Sequence, residues 1–181
     1  MPTFDWSTIT DVVIHLRYTA REGGDLLRDA ALKSLESELI GIPLQRSFSA
    51  RHEFPTEWNA FLRPTTETEA ALQLDLSEKR FPYFARGLEP TISKIELIVL
   101  VKSPSIWSDT NVTVEGGGRT ADVTLASADN LYGGNPSGVV EYQGVSPGAW
   151  TVRVTTTSLG LPSDWIDDFV VIATYQVTVP V

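Results

Sequence analysis

The sequence predicts a mainly β protein: an antiparallel β-sandwich of jelly-roll or Greek-key type. One amphipathic helix is expected near residues 26–40 and a short helical turn near 56–62. Three observations carry this prediction. Apolar residues alternate with period two in about eight short segments. Glycine, proline, asparagine and aspartate punctuate the chain between those segments at close spacing. A four-residue apolar repeat sustained over several turns occurs in one place.

The first alternating segment is residues 12–18, where Val12, Ile14, Leu16 and Tyr18 share one face and Val13, His15 and Arg17 the other. Gly23-Gly24 ends it, and Asp25 stands where a helix N-cap belongs. Leu27, Ala31, Leu35 and Leu39 then recur every four residues, until Gly41 and Pro43 supply a stop. In "RHEFPTEWNAFLRP", Pro55 suits a first helical turn and Pro64 forbids continuation, which leaves Trp58, Phe61 and Leu62 for a buried side.

From there the pattern is β. Leu72, Leu74 and Leu76 alternate with polar residues, and "KRFPYFARG" (79–87) reads as an aromatic loop. Ile95, Leu97, Val99 and Val101 alternate with Ile98 and Leu100, the mark of a central strand covered on both faces. Shorter strands are expected at Val112–Val114, Ala121–Leu125 and Val139–Tyr142. Gly116–Gly118 between the first two reads as a loose hairpin. Trp150, Val152 and Val154 form one more inward row, and "GLPSDWIDD" (160–168) reads as a turn or single helical turn. The last strand runs from Phe169 to Val179 with Phe169, Val171, Ala173, Tyr175, Val177 and Val179 on one face.

At 181 residues, this is expected to be a single domain spanning 1–181. Such a chain buries roughly 70% of its unfolded surface and needs no covalent staples. The absence of cysteine removes disulfides, thiolate metal sites and cysteine nucleophiles together. A net charge of −9 with no basic cluster argues against nucleic acid and against anionic membranes as partners. No apolar run approaches the length of a membrane span, and the start MPTFDW shows no signal-peptide pattern.

Candidate chemistry is sparse. His15 and His52 are the two imidazoles, but no G-x-S-x-G elbow accompanies them, and an isolated histidine is more often a packing or surface residue. Asp164, Asp167 and Asp168 around Trp165, and Asp5 beside Trp6, resemble acids at a sugar platform. The competing reading, which we prefer, has the tryptophan capping the sandwich and the acids capping a turn. "SDTN" (108–111) and "SADN" (127–130) offer oxygen ligands without EF-hand spacing, so structural calcium stays open there. Neither phosphate-binding glycine motif is present. No catalytic residue, metal site or cofactor is therefore expected. Trp107, Tyr132 and Trp165 are the aromatic residues expected to be exposed and available to a partner.

Four stretches occur in order: "ITDVVIHLRYTAREGG" (9–24), "FSARHEFPTEWNAFL" (48–62), "LQLDLSEKRFPYFARG" (72–87) and "ISKIELIVLV" (92–101). Together they resemble the C-terminal TcB-binding domain of the A component of bacterial insecticidal Tc toxin complexes. The resemblance covers roughly residues 4–180, is sharpest over 4–101, and is weakest over 108–148. In that family the A component is a large pentameric syringe. Five copies of this domain seat the β-propeller of the B component, whose cocoon holds the toxic enzyme.

The resemblance implies a non-catalytic docking domain of a secreted toxin, either cut from a larger component or a stand-alone relative, with a homopentamer possible in the intact toxin. The channel helices and receptor-binding regions of the family are missing here, so this domain would not insert into a membrane itself. Under this reading "HLRYTAREGG" is architectural: Arg17 and Arg21 pair with acids or carbonyls, and Glu22 and Asp25 order the start of the helix. The alternative function is a carbohydrate-binding sandwich that stacks sugars on Trp107, Trp150 and Trp165, although Trp150 reads as a core-facing strand residue.

Overall fold

The computed structural model describes residues 17, 19, 21, 23–64, 69–85, 88–103, 107–127, 131–155 and 165–178. The chain divides into two compact units, Met1–Leu35 and Glu36–Val181. The strand expected over 12–18 lies, apart from Arg17, outside the described residues.

Helix α1 (Asp25–Leu39) crosses that division. The Gly24 carbonyl accepts the Arg28 N–H at 3.1 Å, so Gly24 holds the cap position and Asp25 lies in the first turn instead. There the Asp25 carboxylate complements the positive helix end and pairs with Arg28 at 3.1 Å. Leu27 and Leu35 of the four-residue repeat are exposed, whereas Leu39 is half-buried against the core of the second unit. The helix stops at Gly41, whose φ of 77° is the left-handed conformation typical of a helix terminus.

The second unit contains β1 (Leu44–Ser49), α2 (Ala50–Glu53), α3 (Pro55–Leu62), β2 (Glu69–Leu76), β3 (Glu89–Val101), β4 (Thr110–Gly116), β5 (Arg119–Ser127), β6 (Pro136–Val145), β7 (Gly148–Thr155) and β8 (Ile166–Thr178). The strands form one curled antiparallel sheet in the order β1-β8-β3-β6-β5-β4-β7-β2. Its pairings are nested: β1 with β8, β2 with β7, β3 with β6, and β4 with β5. A long hairpin of four strands against four, rolled up, has this pairing and is a jelly roll. The roll turns at β5, which pairs with β4 along most of its length and with β6 at Ala126–Ser127.

Alternation explains the core. Leu72, Leu74 and Leu76 of β2, Trp150, Val152 and Val154 of β7, and Phe169, Val171, Ala173, Tyr175 and Val177 of β8 all belong to one buried cluster. Each of the larger aliphatic or aromatic side chains contributes about 1.5–3 kcal/mol by leaving water. Trp58 and Phe61 of α3 close one side, with Phe61 edge-on to Phe169 at 6.1 Å. Phe81, from the loop expected to be aromatic, packs edge-on to Tyr175 at 4.7 Å and to Phe48 at 5.9 Å. The triple glycine makes a tighter turn than a loose hairpin. Gly116 pairs with Arg119, so Gly117 and Gly118 alone form the loop, with φ of 57° and 73°. Two consecutive positive φ values match the twist of the flanking strands and favour glycine.

Two differences from the sequence reading stand out. Strand β1 was not expected, and β8 begins at Ile166, three residues before Phe169, because Ile166 and Asp168 pair with Val101 and Leu100. Val179 and residues 156–164 lie outside the described residues.

Candidate functional site

The densest polar constellation sits where β1 runs into α2 and meets β8. Asp168 is 6% exposed, and its carboxylate accepts from Ser49 Oγ at 2.5 Å, from the Arg51 N–H at 2.9 Å and from the Phe169 N–H at 2.7 Å. Ser49 caps α2 by accepting the His52 N–H at 3.1 Å, while Glu53 reaches back to the Ser49 N–H at 3.3 Å. This reciprocal arrangement resembles a capping box and satisfies donors that a helix start leaves orphaned. Glu53 also pairs with Arg46 at 2.8 Å, and the Arg46 guanidinium lies 4.6 Å from the Phe48 ring centre.

Serine, histidine and aspartate thus come together, but in the wrong order for nucleophilic catalysis. A triad needs the imidazole between the hydroxyl and the carboxylate. Here Ser49 bonds directly to Asp168, and His52 contributes its main-chain N–H from an exposed position. The cluster fixes a corner of the roll. Asp167 and Asp168 do not form a carboxylate pair, because successive strand residues point to opposite faces. Asp167 instead offers its carbonyl to Arg51 at 3.3 Å. Asp164, His15, Asp5 and Trp6 lie outside the described residues.

The three aromatic candidates separate. Trp107, expected to be exposed, is buried at 9%, and its indole N–H donates to the Leu125 carbonyl at 3.0 Å. A loop tryptophan that finds a carbonyl for its one polar atom can place its ring in the core, which corrects the expectation. Tyr132 is half-buried, and its hydroxyl donates to Glu96 Oε1 at 2.7 Å. That hydrogen bond, with burial and the Glu96 charge, holds the phenol above its ordinary value. Trp165 is exposed at 36%, and its carbonyl accepts the Lys102 N–H at 3.0 Å. Trp150 faces the core, as its alternation suggests.

The two outer faces of the curled sheet differ in chemistry. On β4, β5, β7 and β2 the outward residues are mostly polar, with Ala71, Ala126 and Ala149 between them, and several polar ones pair with one another. Arg153 bridges Glu69 and Glu115 at 3.0 Å each, Thr113 donates to Asp122 at 2.7 Å, and Thr124 donates to Asn111 at 2.7 Å. On β3, β6 and β8 the register places Glu96, Val139 and Ile172 on one outward row, and Ile98 and Val170 on the next. Leu100 continues that face. Its apolar centre includes Val139, which is 46% exposed.

Two open concavities accompany these faces. One, about 390 Å³, is lined by Glu57, Gln73, Asp75 and Thr151 among others, and the second, about 440 Å³, by Glu78, Glu89, Thr91 and Ser146. Both are acidic on their charged groups. Among the described residues no group of three or more histidine, aspartate or glutamate side chains converges as a metal site. At 108–111 the Thr110 hydroxyl turns to the Ser108 carbonyl, and Asn111 accepts from Thr124, so two of the oxygens weighed for calcium are engaged within the protein.

The fold and its polar corner define an antiparallel jelly roll whose described acidic and hydroxyl groups at that corner brace the strands. No protein-family model and no curated protein matches the chain. No helix among the described residues is long and apolar enough to cross a membrane.

Proposed function

We propose that this chain is a non-catalytic assembly domain that docks another protein through the outer face of β3, β6 and β8. The observation that carries this reading is Val139, 46% exposed on a face where half-buried Ile172, Val170 and Leu100 stand around the buried Ile98, opposite a sheet face that is mostly polar. An apolar centre with a polar rim is the anatomy of a protein interface. The four stretches that resemble the TcB-binding domain support a more specific partner, the β-propeller of a Tc-type B component. In that setting the domain belongs to a secreted bacterial toxin complex and works within a pentamer.

The test is association of the chain with a purified B component, followed by titration calorimetry. Val139→Arg places a charge in the centre of the face and is expected to weaken binding by at least about tenfold, since leaving one charge buried and unpaired costs several kcal/mol. Unchanged affinity in that variant rules out this face, and lack of association by the unaltered chain rules out the partner. The carbohydrate-binding alternative retains Trp165 as its exposed aromatic and loses Trp107 to the core. Glycan binding abolished by Trp165→Ala would favour it.

A further inference from the structure

Among the described residues, Tyr132 is the single non-glycine residue with positive φ (49°, with ψ of 33°), and Gly133 and Gly134 continue in the left-handed region. A tyrosine held there is strained, and such strain persists where surrounding contacts impose it. The contacts are two pins onto β3. At one, the Tyr132 hydroxyl donates to the buried Glu96 carboxylate at 2.7 Å. At the other, Asn135 Oδ1 accepts the Val101 N–H at 2.9 Å, while the Asn135 side-chain amide donates to the Tyr132 carbonyl at 2.8 Å. Val101 needs this acceptor where the β3–β8 register shifts between Leu100 and Val101.

Between the pins, Ile98 points to the same outer side as Glu96 and is 4% exposed, although it stands outside the core cluster. Val139, directly across from Glu96 on β6, is 46% exposed. On β3 the buried outward residues, Glu96 and Ile98, are those within the span of the two pins, while Lys94 and Leu100 are half-buried; on β8 of the same face Thr174 is buried as well.

We propose that residues 132–135 form a two-state cover over the outward row of β3, latched by the Tyr132–Glu96 hydrogen bond, whose opening uncovers Ile98 and the Glu96 carboxylate. The left-handed backbone at Tyr132 opposes closure, and a charge-assisted hydrogen bond favours it. The two influences act on one residue, so loss of the bond leaves the strain unopposed and shifts the population towards the open form.

Hydrogen exchange of the full chain, read at the Val101 amide, tests this directly. Tyr132→Phe keeps the ring and the backbone preference while removing the latch. It is expected to accelerate Val101 exchange about tenfold or more, with Val112 and Val152 in β4 and β7 unchanged. Binding of an apolar dye should rise in parallel as Ile98 is uncovered. If Tyr132→Phe does not fold, Glu96→Ala carries the same measurement with the same expectation. Unchanged Val101 exchange, or equal acceleration at Val112 and Val152, overturns the proposal. Because opening is read without a partner, its failure leaves the docking reading untouched.

Discussion

Replacing Asp168 with alanine removes three hydrogen bonds at one corner of the roll. Two of the donors are main-chain N–H groups, those of Arg51 and Phe169, which cannot turn elsewhere without moving α2 or β8. The third, the Ser49 hydroxyl, keeps its role as acceptor for the His52 N–H. Leaving a buried donor unsatisfied costs about 1–3 kcal/mol, and bonds to a charged acceptor lie at the upper end. Relief from carrying a carboxylate at 6% exposure offsets part of this. The net expectation is a loss of about 3–4 kcal/mol, or about 10 °C in Tm for a chain of this size. Asp168→Asn retains an oxygen for both main-chain donors and should cost about 1 kcal/mol. Urea unfolding followed by tryptophan fluorescence measures both. The reasoning is refuted if Asp168→Ala stays within about 0.5 kcal/mol of the unaltered protein, the usual range for a surface substitution. A gain in stability would refute it more strongly, since acids held in place for chemistry tend to be relieved by removal.

Other expectations follow from single contacts. A Cβ at Gly116 would overlap the Trp150 indole, so Gly116→Val should destabilise by about 3 kcal/mol or more, seen as a lower urea midpoint and altered tryptophan emission. Tyr142 and Tyr175 are raised above the ordinary 10.0 by burial, Arg46 opposing at Tyr175, and Tyr132 chiefly by its bond to Glu96. A raised folded-state value means that the fold favours the protonated phenol. Its contribution is complete below pH 10.0 and is lost as pH climbs through the folded value, so stability should hold to that point and then fall. Phenolate absorbance that develops in step with that of a free tyrosine would contradict this.

Much of the fold was legible because burial leaves a period-two mark. In β2, β7 and β8 every inward position is apolar, and those rows appear in the sequence as they do in the core. Strand β1 lacks a clear period-two mark because Arg46 occupies an inward position between Leu44 and Phe48, opposite Ala173. Its guanidinium is tolerated there by the Phe48 ring and Glu53, partners that alternation alone does not reveal. The burial of Trp107 is hidden for a similar reason: "SIWSD" is a polar loop by composition, and the Leu125 carbonyl that satisfies the indole lies 18 residues further on. The Asp168 corner depends on a bond across 119 residues to Ser49, which no local spacing encodes. The local half, a serine followed four residues later by glutamate at a strand end, was the available signal for a helix start.

The assembly reading meets its most direct test in solution mass measured by light scattering, for the chain alone and mixed with a purified Tc-type B component. The expected result is a stable complex whose formation Val139→Arg suppresses while the fold of that variant, read by circular dichroism, is preserved. A mixture that elutes as two unassociated species would contradict it.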